Sequence, residues 1–173
     1  MLEAAKYSAS ALLSDGRPLV IRALRPEDRA DLIRAVERSS AQSLYRRFFS
    51  PKRALTEGEI AYFLHVDFVD HVALVASVDE DGRSVIVGGG RYIVVEPGKA
   101  EIAFAVVDQY QGKGVGTALM RHLAAIAYQA GLRELTAEVL LDNISMLKVF
   151  AKCGLRTSTT HDAGVAHVAL QLH

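Results

Sequence analysis

Three scarcities bound this sequence before any motif is read. A single cysteine, Cys153, leaves no partner for an internal disulfide and suits a reducing compartment. Twenty Lys and Arg residues balance twenty Asp and Glu, so no net field draws the chain toward DNA, RNA or an anionic membrane, although a local basic patch around a phosphate ligand is compatible with that balance. No apolar segment approaches the roughly 20 residues that cross a bilayer as a helix; the longest near-continuous one, residues 102–107, is strand-sized. Nor does the N-terminus read as a signal peptide, because Glu3 and Lys6 stand in it without a long apolar run behind them. The expectation is a soluble cytoplasmic protein with neither nucleic-acid nor membrane partners. Hydrophobic residues are plentiful: they make up 50% of 173 residues, with 23% charged, enough to build a core and suited to one domain.

Along the chain, residues 1–14 are expected to form a loosely ordered arm ahead of a single domain over residues 15–173. The turn Asp15-Gly16-Arg17-Pro18 launches a short strand over 19–23. Pro26, Glu27 and Asp28 then open a helix whose apolar stripe is Leu32, Ile33 and Val36. A second short helix is expected over 40–50, ending before Pro51. A third begins at Thr56, where the hydroxyl and Glu59 three residues on form a capping-box pattern. Strands follow over 71–78, 84–95 and 100–107, the middle one interrupted by Gly88-Gly89-Gly90. The strongest helix spans 112–130: Ala118, Leu119, His122, Leu123, Ile126 and Ala127 recur at three and four, and Gly131 ends it. A strand over 134–141, a helix over 144–152 and a strand over 165–172 complete the chain. The order points to a mixed α/β domain around one twisted sheet.

Between the strand at 100–107 and the long helix lies Gln111-Gly112-Lys113-Gly114-Val115-Gly116. Glycine lets backbone approach a ligand closely, and the first free N–H groups of a helix direct its positive dipole end at an anion. A diphosphate fits such a loop, with Lys113 adding charge, and so does a plain helix start whose glycines merely turn the chain. Two common nucleotide loops are excluded. Ala118 and Leu119 follow where a dinucleotide loop needs its third glycine, and Gly112-Lys113 runs into Gly114 rather than a serine or threonine.

Residues 106–120, Val-Val-Asp-Gln-Tyr-Gln-Gly-Lys-Gly-Val-Gly-Thr-Ala-Leu-Met, are similar throughout to the Q/R-x-x-G-x-G/A region of the GNAT superfamily of N-acetyltransferases. Thirty residues after Gly112, Asp142-Asn143-Ile144-Ser145-Met146-Leu147, with Lys152-Cys153-Gly154-Leu155 behind it, resembles the family's later motif. The resemblance implies a central, twisted, mostly antiparallel sheet of about six to seven strands, flanked by helices and splayed between strands 100–107 and 134–141. It implies acetyl-CoA as cosubstrate and no metal. The backbone of Phe104, Ala105 and Val106 would pair with the pantetheine arm like an added strand. Gln111, Gly112, Lys113, Gly114, Val115, Gly116 and Thr117 would hold the pyrophosphate. Asn143 would hydrogen-bond the pantetheine region, with Met146 and Phe150 packing along the cofactor.

Acetyl transfer to an amine needs the amine neutral, and a lysine with pKa near 10.4 costs about 4–5 kcal/mol to deprotonate at pH 7. A general base lowers that cost. Glu101 interrupts the apolar run Ala100, Ile102, Ala103, Phe104, where glutamate is disfavoured in a strand; by residue chemistry alone it fits a base and a solvent-facing glutamate equally. Residues 100–106, Ala-Glu-Ile-Ala-Phe-Ala-Val, resemble the same strand in bacterial protein lysine acetyltransferases that act on acetyl-CoA synthetase, whose catalytic glutamate falls at the position matching Glu101. That likeness runs over residues 14–158. Phe150 stands where many GNAT enzymes carry a tyrosine general acid, a departure those lysine acetyltransferases share. They also commonly carry a large further domain, for which these 173 residues leave no room.

Glu138, in the neighbouring strand, is the second candidate base. His65, Asp67 and His71 match no standard zinc spacing and are read as a loop near the substrate cleft. Cys153 is read as a small buried hydrophobe. Arg46, Arg47, Phe48 and Phe49 fit either a peptide-docking rim or a helix packed on the sheet. The function expected is acetyl-CoA-dependent acetylation of a primary amine, a protein lysine such as one on an acyl-CoA synthetase. A small-molecule amine is the alternative acceptor, and a non-catalytic acetyl-CoA sensor the alternative function.

Overall fold

Alternating burial organises the strands that carry the site. Along Lys99–Val106, Ala100, Ile102 and Phe104 are buried while Glu101 and Ala105 are exposed, the period-two pattern of a strand packed on one face. The computed structural model, described over residues 3–49, 52 and 54–173, sets that segment as the fifth of eight strands. They are β1 (Ser8–Leu12), β2 (Pro18–Ala23), β3 (His71–Glu80), β4 (Arg83–Glu96), β5 (Lys99–Val106), β6 (Glu134–Leu140), β7 (Arg156–Asp162) and β8 (Val165–Gln171). The sheet order is β1-β2-β3-β4-β5-β6-β8-β7, antiparallel throughout except between β5 and β6.

The mostly antiparallel sheet is as expected, but it has eight strands rather than six to seven. The additions are β1 and β7. Residues 8–12, expected within a loosely ordered arm, pair residue for residue with β2, and Leu13 just beyond them is buried. β7 is Arg-Thr-Ser-Thr-Thr-His-Asp and is exposed at every position. It shows no apolar alternation because neither of its faces is covered; its pairing with β8 holds it in the sheet.

Among the described residues five α-helices flank the sheet: α1 (Arg29–Glu37), α2 (Ala41–Phe48), α3 (Glu57–Leu64), α4 (Val115–Gln129) and α5 (Ile144–Ala151). The capping box at α3 is present, the Glu59 N–H donating to Thr56 Oγ1 at 3.1 Å and the Thr56 N–H to Glu59 Oε1 at 2.9 Å. α2 ends at Phe48, with Phe49 in the left-handed region; Pro51, expected as its stop, lies outside the described residues. Among the described residues no helix is long and apolar enough to cross a membrane.

The long helix starts at Val115, not Gly112, because Gly112 and Gly114 have φ of 76° and 92° and cannot belong to a right-handed helix. Nor do the three glycines break their strand. β4 runs on from Arg83 to Glu96, with Gly88, Gly89 and Gly90 paired to β3 and β5. Gly88 and Gly90 are small because α4 and the Phe104 ring lie directly across them. A Cβ on Gly88 would sit 2.8 Å from Val115 Cγ1, and one on Gly90 would sit 2.6 Å from Phe104 Cδ1 and 2.9 Å from Leu123 Cδ1. That close approach fixes the N-terminus of α4 beside β5.

Candidate active site

β5 and β6 pair only at Lys99, Ala100 and Glu101, opposite Glu134, Leu135 and Thr136, and then diverge. The splay opens a cleft of about 580 Å³ between them. Its walls are the glycines of β4, residues 102–106 of β5, residues 137–139 of β6, the start of α4, the cleft face of α5 and the C-terminal half of α2. On the β6 side, the main-chain groups of residues 102–105 have no strand partner among the described residues, whereas the Val106 carbonyl accepts from Gln111 Nε2 at 3.0 Å. Unpaired backbone edges inside a fold call for a ligand or water to complete them.

At one end of the cleft, Gly114 is the N-cap residue of α4 and provides no side-chain cap. The N–H groups of Val115, Gly116 and Thr117 are therefore the free donors of a 15-residue helix, and all three residues line the cleft. Gln111, Gly112 and Gly114 line it as well. Lys113 does not. Its ammonium lies 3.7 Å from the Asp15 carboxylate, and its carbonyl accepts from the Ser14 N–H at 2.9 Å, so the β1–β2 turn holds the loop from behind. Gln111 also donates to Ser43 Oγ at 3.1 Å, and the Ser40 N–H donates to Asp108 Oδ1 at 2.8 Å. Both contacts tie α2 to the loop. None of these ties had a local signature in the chain, since each joins residues distant in sequence.

Across the cleft, Asn143 caps α5, its Oδ1 accepting from the Met146 N–H at 3.3 Å. Asn143, Met146 and Phe150 all line the cleft, as do Phe104, Ala105 and Val106. The Phe150 ring is buried against Phe104, 5.8 Å between centroids, so it forms cleft floor and carries no proton. The two carboxylates considered as bases are placed differently. Glu138 lines the cleft, 3.6 Å from His167 Nδ1. Glu101 is exposed at the point where β5 and β6 part, one residue before the cleft-lining segment and on the same strand face as Ala103 and Ala105.

That face of the sheet also carries two arginines that the motifs did not single out together. Arg91, opposite Ala103 in the β4–β5 register, and Arg47 of α2 both line the cleft. Arg91 Nη1 donates to the Phe63 carbonyl at 3.1 Å and to His71 Nε2 at 2.8 Å. Its guanidinium lies 4.6 Å from the centre of the Phe63 ring, while Arg47 lies 4.8 Å from that of Phe48 and 5.8 Å from that of Phe63. Burial, reinforced by Arg47, pushes Arg91 down to about 9, and burial lowers Arg47 as well. Burial and Arg91 push His71 down to about 4, leaving a neutral ring that accepts at Nε2.

The cluster His65, Asp67, His71 resolves into local structure. Asp67 Oδ1 accepts from the N–H groups of Val69, Asp70 and His71 at 2.9, 3.0 and 2.9 Å, and His71 supports Arg91. Among the described residues no three His, Cys, Asp or Glu converge as a metal site would require. Cys153 is half-buried against the core.

The family model of the acetyltransferase (GNAT) family matches residues 38–155. The chain belongs to the GNAT family of acetyltransferases. This GNAT enzyme is 36% identical over 124 residues to acetyltransferase PA5475 of Pseudomonas aeruginosa, a match covering 71% of this chain and 67% of that one. It is 33% identical over 144 residues to acetyltransferase Pat of Mycolicibacterium smegmatis, covering 80% of this chain but only 41% of that relative's length. Its fold superimposes on the crystal structure of the GNAT domain of S. lividans PAT with a TM-score of 0.86 at 34% identity, covering 95% and 97% of the two chains. The GNAT acetyltransferase is thus an N-acetyltransferase that uses the family's cosubstrate, acetyl-CoA.

Proposed function

We propose that this acetyltransferase transfers acetyl to a protein lysine by direct attack, with Glu101 as general base. The observation that carries the reading is the open edge of β5 beyond Glu101, set beside the uncapped start of α4. An extended arm bearing amides fits the unpaired groups of residues 102–105, and a diphosphate fits the N–H groups of Val115, Gly116 and Thr117. Gly112 and Gly114 let the loop turn tightly there through their positive φ. When bound, acetyl-CoA supplies a thioester carbonyl activated for attack. The chain does the rest. Main-chain N–H groups on the open edge stabilise the oxyanion, Glu101 takes one proton of the incoming ammonium, directly or through one water, and as the C–N bond forms the C–S bond breaks, the thiolate leaving with the second proton from the nitrogen. The lysine acceptor and the role of Glu101 are supported by the likeness of residues 100–106 to the protein lysine acetyltransferases.

Glu138 is the second reading, because it is the carboxylate that lines the cleft. Glu101→Gln and Glu138→Gln, assayed for thiol release, separate the two. Glu101→Gln is expected to lower kcat by about 10²- to 10⁴-fold and to leave acetyl-CoA binding intact, with Glu138→Gln changing kcat only a few-fold. The opposite ranking refutes the assignment. Mass spectrometry after incubation with an acetyl-CoA synthetase or a panel of small amines locates the acceptor, and labelling confined to the small amines overturns the lysine reading.

A further inference from the structure

Arg47 and Arg91 present a charge arrangement that catalysis at Glu101 does not explain. Both guanidinium groups share the Phe63 ring and line the cleft, and among the described residues neither has a carboxylate within 4.0 Å. Among the described residues Arg91 hydrogen-bonds only through Nη1, and to neutral acceptors. Arg47 donates no hydrogen bond to the described residues, yet none of its nitrogens is sealed from solvent without a partner. Its donors therefore keep access to solvent, and the residue lines the cleft. Two like charges that share one ring and act on each other under partial burial are unfavourable unless an anion joins them. Both fork-shaped cations present the paired N–H geometry that carboxylates accept.

Their position identifies that anion as part of the acceptor. Gly88 and Gly90 of β4 turn toward α4, so Gly89 and Arg91 face the opposite side, toward α2. The helix start that suits a diphosphate lies beside Val106, three residues along β5 from Ala103 and about 10 Å away, whereas Arg91 stands opposite Ala103 itself. Glu101 is the next residue along β5 on the face of Ala103, about 7 Å on, and its charge acts on Arg47 without forming an ion pair. A carboxylate for the amine and a pair of arginines thus flank the same end of the cleft.

We propose that Arg47 and Arg91 form an anion site that selects acceptors carrying a carboxylate close to the amine to be acetylated. The inference rests on the acetyl-transfer reading above. In a protein the acceptor is a lysine beside Asp or Glu; in a free metabolite it is an amine bearing its own carboxylate. The peptide arm of the test compares wild-type kcat/KM on lysine peptides that differ only in a flanking Glu, Gln or Lys. The metabolite arm compares free lysine with cadaverine, its decarboxylated analogue. A charge-assisted pairing predicts a preference of about 10-fold or more for the acidic member, and the arm that shows it names the source. Substituting Arg47, whose side chain makes no hydrogen bond to the described residues, as Arg47→Gln is expected to collapse that ratio toward one, with acetyl-CoA affinity serving as the control for folding. Equal rates on acidic and neutral acceptors in both arms, or a preference that survives Arg47→Gln and Arg91→Gln, overturn the anion site and leave acetyl transfer standing. No thiol release with any acceptor overturns the acetyl-transfer reading itself, and the anion site with it.

Discussion

Replacing Gly88 by alanine inserts a methyl group into the contact through which β4 carries α4. The new Cβ lies 2.8 Å from Val115 Cγ1, 3.2 Å from the Ala105 carbonyl oxygen and 3.5 Å from Leu119 Cδ1. Val115 and Leu119 are almost fully buried, and the Ala105 oxygen belongs to the neighbouring strand. No neighbour is a flexible tip that can swing aside. Overpacking of this kind costs about 1–3 kcal/mol, partly offset by the ~0.5–1 kcal/mol gained on removing a strand glycine. A net loss of about 1–2 kcal/mol lowers Tm by roughly 2–8 °C in a chain of this size. The strain has a functional direction as well, because Val115 is the first residue of α4. Lifting it displaces the N–H donors of Val115, Gly116 and Thr117, and acetyl-CoA affinity is expected to fall on the order of 10-fold. Gly89→Ala is the matched control one residue on: its Cβ meets only the Leu74 oxygen at 3.5 Å, an ordinary contact, so it should stabilise by about 0.5–1 kcal/mol. Thermal unfolding and calorimetric titration with acetyl-CoA measure both effects. A Gly88→Ala protein as stable and as tight-binding as wild type, or a Gly89→Ala protein that suffers more, refutes the packing argument.

Two further outcomes follow from the charges at His71 and Asp15. His71 is held down to about 4 from 6.5, so the stability it lends is complete above pH 6.5 and is lost as pH falls toward 4. That displacement corresponds to about 3 kcal/mol; urea unfolding at pH 7.5 and at pH near 4 should show a weaker pH dependence in His71→Gln, and identical slopes would contradict it. Asp15→Ala releases Lys113 and removes a negative charge behind the loop, so acetyl-CoA should bind a few-fold more tightly, with a larger gain at low ionic strength. An affinity that is unchanged or weaker at low salt would show that the ion pair does not oppose the ligand.

How much of this was legible depends on whether the determining contacts were local. Thr56 and Glu59 announce α3 because a capping box closes within four residues. The apolar periodicity of α4 is equally self-contained, and the loop before it carries its own conformational requirement in Gly112 and Gly114. β1 and β7 have no local signature for the converse reason. Serines and alanines in one, and a polar run exposed on both faces in the other, have no pattern of their own and become strands only by pairing with β2 and β8. Gly88-Gly89-Gly90 reads locally as a break; its meaning lies in Val115, Phe104 and Leu123 pressing on it from elsewhere in the chain.

The sequence by itself determined the mixed α/β class, the long amphipathic helix and the glycine loop at its start, since each rests on spacing within one segment, and its resemblance to the GNAT motifs over residues 106–120 and 142–155 implied the acyl-CoA chemistry. Only the tertiary structure decided what those parts face. It turned Lys113 away to Asp15, placed Glu138 in the cleft wall and Glu101 at the parting of β5 and β6, and gathered Arg47 and Arg91 against the Phe63 ring. The physical reason is that a side chain's charge and burial depend on neighbours contributed by other elements, and the splay that admits a ligand exists only between two strands that part after three paired residues.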